Sequence, residues 1–172
     1  MSIVKNNYEK DKIRYGKSGK MPGFQSYLRK YQISKGKISR LICKFLFAYY
    51  RRRYLVDMSI GTKIGGGLYI GHPYGITINP QAVIGENCNI HKGVTIGQEN
   101  RGKRKGTPVI GNEVWIGINA TIVGKIQIGS DVLIAPNTFV NRDIPDHSVV
   151  LGNPCVIIPN TKATEEYICN KA

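Results

Sequence analysis

The sequence predicts a mainly β protein: a parallel β-helix with a short α-helical segment at its N-terminus. Three observations carry this. Aliphatic residues recur at a beat of six, a small residue follows most beats, and helical spacing is confined to the region before residue 57. Ile84, Ile90 and Ile96 stand six apart, and after an interruption Ile110, Ile116, Ile122, Ile128, Ile134 and Val140 resume the count. Gly85, Gly97, Gly111, Gly117 and Gly129 come directly after a beat, and Ala135 takes the same place. Four residues after each beat stands Cys88, Val94, Val114, Ala120, Ile126, Val132 or Thr138. Neither the helical period of 3.6 nor strand alternation reproduces this pattern, whereas short strands stacked coil on coil do. The aliphatic fills the interior at each corner, and the small residue lets neighbouring backbones approach.

At 172 residues the chain suffices for one domain with an added arm. It has no run of eighteen apolar residues and no secretory signal, so the cytoplasm is the expected compartment. Four cysteines, Cys43, Cys88, Cys155 and Cys169, show no C-x-x-C spacing and read as reduced thiols. The net charge of +14 is concentrated in the first 53 residues and in Arg101 to Lys105. Such a balance suits nucleic acid, an anionic membrane surface or a phosphate-rich cofactor, and charge alone does not choose among them.

Residues 1–56 read as a basic, partly helical segment. Met1 to Pro22 has no clear period and is expected to be a loosely ordered arm. From Gly23 to Tyr54 two helices are expected, parted near Ser34 to Gly36. In the second, Ile38, Leu41, Ile42, Phe45, Leu46 and Tyr49 form an amphipathic stripe that ends in Arg51-Arg52-Arg53. That stripe suits packing on the β-helix or a neighbouring subunit; it also suits peripheral contact with the inner face of an anionic membrane. No nucleic-acid reading motif is present, and no nucleic-acid partner is expected. Residues 57–159 form the β-helix domain. Its beat slips by two through Gly71-His72-Pro73-Tyr74-Gly75, and a loop, residues 98–107, inserts eight extra residues. Insertions of this kind project from one face of a coil and often carry function. The tail, residues 160–172, is expected to cover the open end of the coil or to fray.

Three histidines are candidates for chemistry: His72, His91 and His147. His72 lies in the slip, and Asp57 precedes it by fifteen residues, close to one coil, so the two can meet. A carboxylate accepting from one ring nitrogen makes the other a stronger base, able to take a proton from a hydroxyl. The competing reading is that His72 caps a turn. His91 follows Ile90 at an outward position, as a turn residue or a substrate contact in a cleft. His147 reads as solvated. The loop cations Arg101, Lys103, Arg104 and Lys105 suit a phosphorylated ligand such as coenzyme A, or simply a mobile solvated loop. Trp115 belongs on the outer surface, at a subunit contact or beside a cofactor. No metal site is expected, because the histidines lack ligands at useful spacing.

These residues resemble the hexapeptide-repeat acyltransferases, whose fold is a left-handed parallel β-helix assembled as a homotrimer. Asp57 with His72-x-x-Gly75, Ile76-x-Ile78-x-Pro80-x-Ala82-x-Ile84-Gly85 and Gly93-Val94-Thr95-Ile96-Gly97 carry the likeness. Val114-Trp115-Ile116-Gly117, Asp143-Ile144-Pro145 and Gly152-Asn153-Pro154 complete it. Within the family the stretch is most similar to the serine acetyltransferase branch and its relatives that O-acetylate surface polysaccharides. The resemblance implies that His72 is the general base, that Asp57 is its partner, and that acetyl-CoA is the donor. It places active sites between subunits and a CoA groove at Gly97, Gly117, Ile118, Ala135 and Pro136, and Lys103, Arg104 and Lys105 are candidates for its phosphates. The Arg-His pair with which serine enzymes hold the amino acid carboxylate is replaced here by Gly106-Thr107 before Pro108. The helical N-terminal region is also short, and the tail ends Asn170-Lys171-Ala172. The expected acceptor is therefore a saccharide hydroxyl in surface polysaccharide biosynthesis. Serine O-acetylation is the alternative, and a non-catalytic scaffold the second.

Overall fold

A computed structural model describes residues 6–17 and 19–172. From Asp57 onward the chain winds into a parallel β-solenoid with three faces. One face stacks Lys63–Ile64, Val83–Ile84, Val109–Ile110 and Gln127–Ile128; a second stacks Thr77–Ile78, Thr95–Gly97, Thr121–Val123 and Phe139–Val140. The third stacks Tyr69–Gly71, Asn89–His91, Val114–Ile116, Val132–Ile134 and Ser148–Leu151, and Val156–Pro159 closes it by antiparallel pairing. The six-residue beat is the interior itself: Ile84, Ile90, Ile96, Ile110, Ile116, Ile122, Ile128, Ile134 and Val140 are all buried. Two positions before the beat, Ala82, Cys88, Val94, Val114, Ala120, Ile126, Val132 and Thr138 are buried as well. The glycine after the beat is required by crowding. A Cβ at Gly111 would lie 2.7 Å from the Gly129 carbonyl oxygen, and one at Gly117 would lie 2.6 Å from Pro136 N. Turns between faces hold a residue in the left-handed region, among them Asn87, Glu113, Asn119, Asp131 and Asn137.

Among the described residues three helices precede the coils: α1 (Asn7–Tyr15), α2 (Gly23–Ile33) and α3 (Lys37–Arg53). The first replaces the loose arm expected over Met1 to Pro22, of which residues 1–5 and 18 lie outside the described residues. A capping box starts α1: the Asn6 side chain accepts from Glu9 N at 3.0 Å, and the Glu9 carboxylate accepts from Asn6 N. Its buried side chains are Asp11 and Arg14, so hydrophobic periodicity does not detect it. Phe24 and Leu28 of α2 and Phe47 of α3 join the solenoid's apolar core and seal its first coil. Tyr27 of α2 stacks on Tyr50 of α3 at 5.6 Å. The stripe expected to pack on the β-helix instead faces outward, because Cys43 and Phe47, on the opposite side of α3, are the residues buried.

The tail neither covers the open end nor frays. It runs back along the outside of the third face. The Thr164 hydroxyl donates to Asp131 Oδ1 at 2.6 Å, Asn89 Nδ2 to the Tyr167 carbonyl at 3.1 Å, and Arg14 Nε to the Cys169 carbonyl at 2.9 Å. Ala172 N donates to Asn87 Oδ1 at 3.0 Å, and Lys171 pairs with Glu113.

Candidate active site

The slip in the repeat places His72 in the turn after Tyr69–Gly71. The side chain is exposed, the backbone sits at φ 54°, and its carbonyl accepts from Tyr74 N at 2.7 Å. This strained region is shared with the other coil turns, so it aims the ring outward without itself marking function. Facing His72 is a cleft of about 640 Å³ between the helical segment and the third face. Its walls include Tyr15, Lys20, Lys30, Tyr54 and His91. Two aromatic walls are fixed. The Tyr15 hydroxyl donates to Gln25 Oε1 at 2.7 Å and accepts from Ile70 N at 2.9 Å, and burial pushes its pKa far up, keeping it neutral. Tyr54 packs between Phe24 and Tyr74 at 5.6 and 5.3 Å.

His91 enters this cleft because the register sets it beside Gly71 on the next coil. The absent side chain at Gly71 makes the room: a Cβ there would meet His91 Nδ1 at 2.5 Å. The ring leans on Trp115, with centroids 4.7 Å apart, and Nε2 is buried with no hydrogen-bond partner among the described residues. Burial first, and the nearby His72 charge second, hold its pKa below the ordinary histidine value. An orphaned buried nitrogen costs about 1–3 kcal/mol. The sequence signal was the equivalence of His91, directly after Ile90, to Gly71, directly after Ile70. Reading it required the coil register. Lys20, Lys30, Tyr15 and Tyr54, contributed by residues before 57, carry no such signal.

Asp57 lies one coil below. Its backbone pairs with the strand Thr77–Ile78, accepting from Ile78 N at 2.7 Å and donating to the Ile76 carbonyl at 2.8 Å. The carboxylate is exposed and accepts from Arg51 Nη1 at 3.2 Å. It opens onto a separate recess of about 400 Å³ with Arg51, Asn79, Pro80 and Gly97. No hydrogen bond joins Asp57 to His72 among the described residues, and within one chain the two side chains line separate recesses.

The groove residues divide between two corners. Gly117, Ile118, Ala135 and Pro136 meet on successive coils, where Asn137 N donates to the Ile118 carbonyl at 2.9 Å. Gly97 sits at the end of the second face, paired with Val123. The inserted loop is folded rather than simply solvated. Glu99 and Gly106 bridge, Gly102–Arg104 forms a 3₁₀ turn, and Lys125 N donates to the Arg104 carbonyl at 2.9 Å. Lys103, Arg104 and Lys105 present exposed cations from this ordered base. Trp115 is not a bare surface ring but is packed between His91 and Tyr167, the latter 5.2 Å away. His147, read as solvated, donates through Nδ1 to Asp131 Oδ2 at 2.8 Å. Burial alone would raise the Asp131 pKa; the hydrogen bonds from Thr164 and His147 outweigh it and lower the value.

Residues 107–142 match the family model described as bacterial transferase hexapeptide (six repeats). The serine acetyltransferase of Synechococcus elongatus is 36% identical over 103 residues, covering 60% of this chain and 42% of that protein. The Helicobacter pylori serine acetyltransferase is 38% identical over 98 residues, covering 57% of each chain. The chain thus spans only about half the length of these relatives. Among solved structures, Neisseria gonorrhoeae serine acetyltransferase superposes with a TM-score of 0.69 at 28% identity, covering 89% of this chain and 65% of that one. The same enzyme in complex with serine gives 0.66 at 27% identity, covering 88% and 67%. These matches overturn the saccharide acceptor and the surface-polysaccharide role expected from the sequence. That expectation rested on one local departure, Gly106-Thr107 in place of an anchoring pair, and on short flanks. The likeness to serine enzymes extends over some hundred residues.

Proposed function

We propose that this chain is an acetyl-CoA-dependent O-acetyltransferase that acts on serine, with His72 as general base. The observation that carries the reading is the cleft in which His72 and His91 face two lysines, in a chain related to serine acetyltransferases. His72 takes the proton of the serine hydroxyl, and the oxygen attacks the thioester carbonyl of acetyl-CoA. The tetrahedral intermediate collapses with cleavage of the carbon–sulfur bond, and the leaving thiolate takes the proton back from the imidazolium. O-acetylserine and CoA are the products. His91, kept neutral by burial, donates or accepts a hydrogen bond at the acceptor. Lys20 and Lys30 supply positive charge for the serine carboxylate where the Arg-His pair is missing. Asp57 acts as the partner of His72 once its carboxylate turns from Arg51, a motion its exposure permits. A homotrimer would set the Gly117–Pro136 corner and the cations Lys103, Arg104 and Lys105 of one copy near the His72 cleft of another, for CoA.

The experiment is thiol release from acetyl-CoA with L-serine and with serine methyl ester. Release with L-serine that falls about 10²- to 10⁴-fold in His72→Ala is expected. A weaker response to the ester, with Lys30→Met raising KM for serine and leaving kcat near wild type, ties the carboxylate to the lysines. Full activity in His72→Ala overturns the mechanism, and absence of serine-dependent release overturns the acceptor.

A further inference from the structure

We propose that the outward face of α3 is a docking surface for an anionic phospholipid bilayer. Ile38, Leu41, Ile42, Phe45 and Tyr49 are 77, 68, 53, 71 and 52% exposed. At the helical turn per residue they fall within an arc of about 100°. A face this apolar on a helix whose other side is already packed marks an interaction site. The recess on it, lined by Phe45, Ala48, Tyr49, Arg52 and Arg53, is open to solvent.

Charge selects the occupant. Lys37, Lys44, Arg52 and Arg53 flank this arc on α3, Arg40 and Arg51 being turned instead to Tyr31 and Asp57, and no acidic residue occurs between Asp11 and Asp57. A second copy seated on this face would set the cations of one α3 against those of the other with no carboxylate between them. An anionic surface is complementary to the same residues. Nucleic acid would satisfy the cations but offers nothing to Ile38, Leu41 and Phe45, which the acyl boundary of a bilayer accepts. The helix has 17 residues, about 25 Å of length, and no helix among the described residues is long and apolar enough to cross a membrane. It lies in the plane of the surface, apolar arc inward and basic flanks at the headgroups.

The test is co-sedimentation of the full chain with phosphatidylcholine vesicles and with vesicles containing phosphatidylglycerol as well. Binding to the anionic vesicles alone, weakened by salt, is expected. Leu41→Asp/Phe45→Asp and Arg52→Glu/Arg53→Glu should each lower it about tenfold or more. Circular dichroism melts of both variants should match wild type, since none of the four side chains is buried. Three results would overturn the proposal. The wild type fails to sediment with anionic vesicles; or Leu41→Asp/Phe45→Asp lowers the oligomer mass in sedimentation velocity, so that a second copy covers the face. In the third, duplex DNA binds in place of vesicles and Leu41→Asp/Phe45→Asp leaves that binding intact.

Discussion

Arg29 donates to Asp11 through Nε at 2.8 Å and through Nη2 at 3.3 Å, and neither side chain reaches solvent. The same guanidinium donates to the Ile64 carbonyl at 2.8 Å and also to that of Gly65, while Asp11 accepts from Gln25 Nε2 and Leu68 N. The pair therefore joins α1, α2 and the first coil, and through them forms the wall opposite His72. Removing one partner leaves a buried charge without compensation, at a cost of about 3–5 kcal/mol. Asp11→Ala should lower urea-unfolding stability by that amount, and Asp11→Leu/Arg29→Met should recover much of the loss. Equal losses in the single and double variants would mean that the pair is not the joint.

The corner glycines predict a graded response. Gly111→Ala drives a methyl group against fixed backbone and should destabilise by about 1–3 kcal/mol. Gly97→Ala meets only side chains, Val123 at 3.2 Å and Thr95 at 3.8 Å, and should unfold within about 1 kcal/mol of wild type. Denaturant melts of the two variants check this order.

His91 makes stability depend on pH. Its folded pKa is held below the ordinary value of 6.5, so the unfolded chain takes up the proton first as pH falls. The contribution of the neutral ring is complete above about pH 6.5 and is lost progressively below it. The melting temperature of the wild type should therefore fall more between pH 7.5 and 5.5 than that of His91→Gln. Parallel pH profiles would remove His91 from the account.

Thiol reactivity should follow burial. Cys43, Cys88 and Cys155 are buried, and desolvation pushes the Cys88 thiol up to about 12; Cys169 is exposed. Ellman's reagent should label one thiol promptly in the native protein and four after denaturation. Prompt labelling that survives Cys169→Ser would contradict the packing.

The beat of six was legible because each coil repeats the same demand: an aliphatic inward, then a residue small enough for the next backbone. His72 stands out as a candidate because the slip interrupts that demand. Three features were not. The first helix buries Asp11 and Arg14, polar side chains that make no hydrophobic period. The apolar arc of α3 looked like a packing stripe, since spacing reports a face and not the direction in which it points. The tail is held by side-chain and backbone hydrogen bonds at Asp131, Asn89 and Asn87, which composition does not register. The acceptor was misjudged for a related reason. A missing pair of side chains was taken as a change of substrate, although other cations, Lys20 and Lys30, line the cleft.

A stack of coils touching only its neighbours melts from its ends inward, one rung at a time. Here the last ten residues are fastened at Asp131, Glu113, Asn89 and Asn87, and to Arg14 of the first helix. Late coils and early ones are bound into a single loop of dependence, so neither end can peel away while the other stays folded. The solenoid should lose its structure in one step, as a closed hoop fails, and not by unravelling like a cut spring.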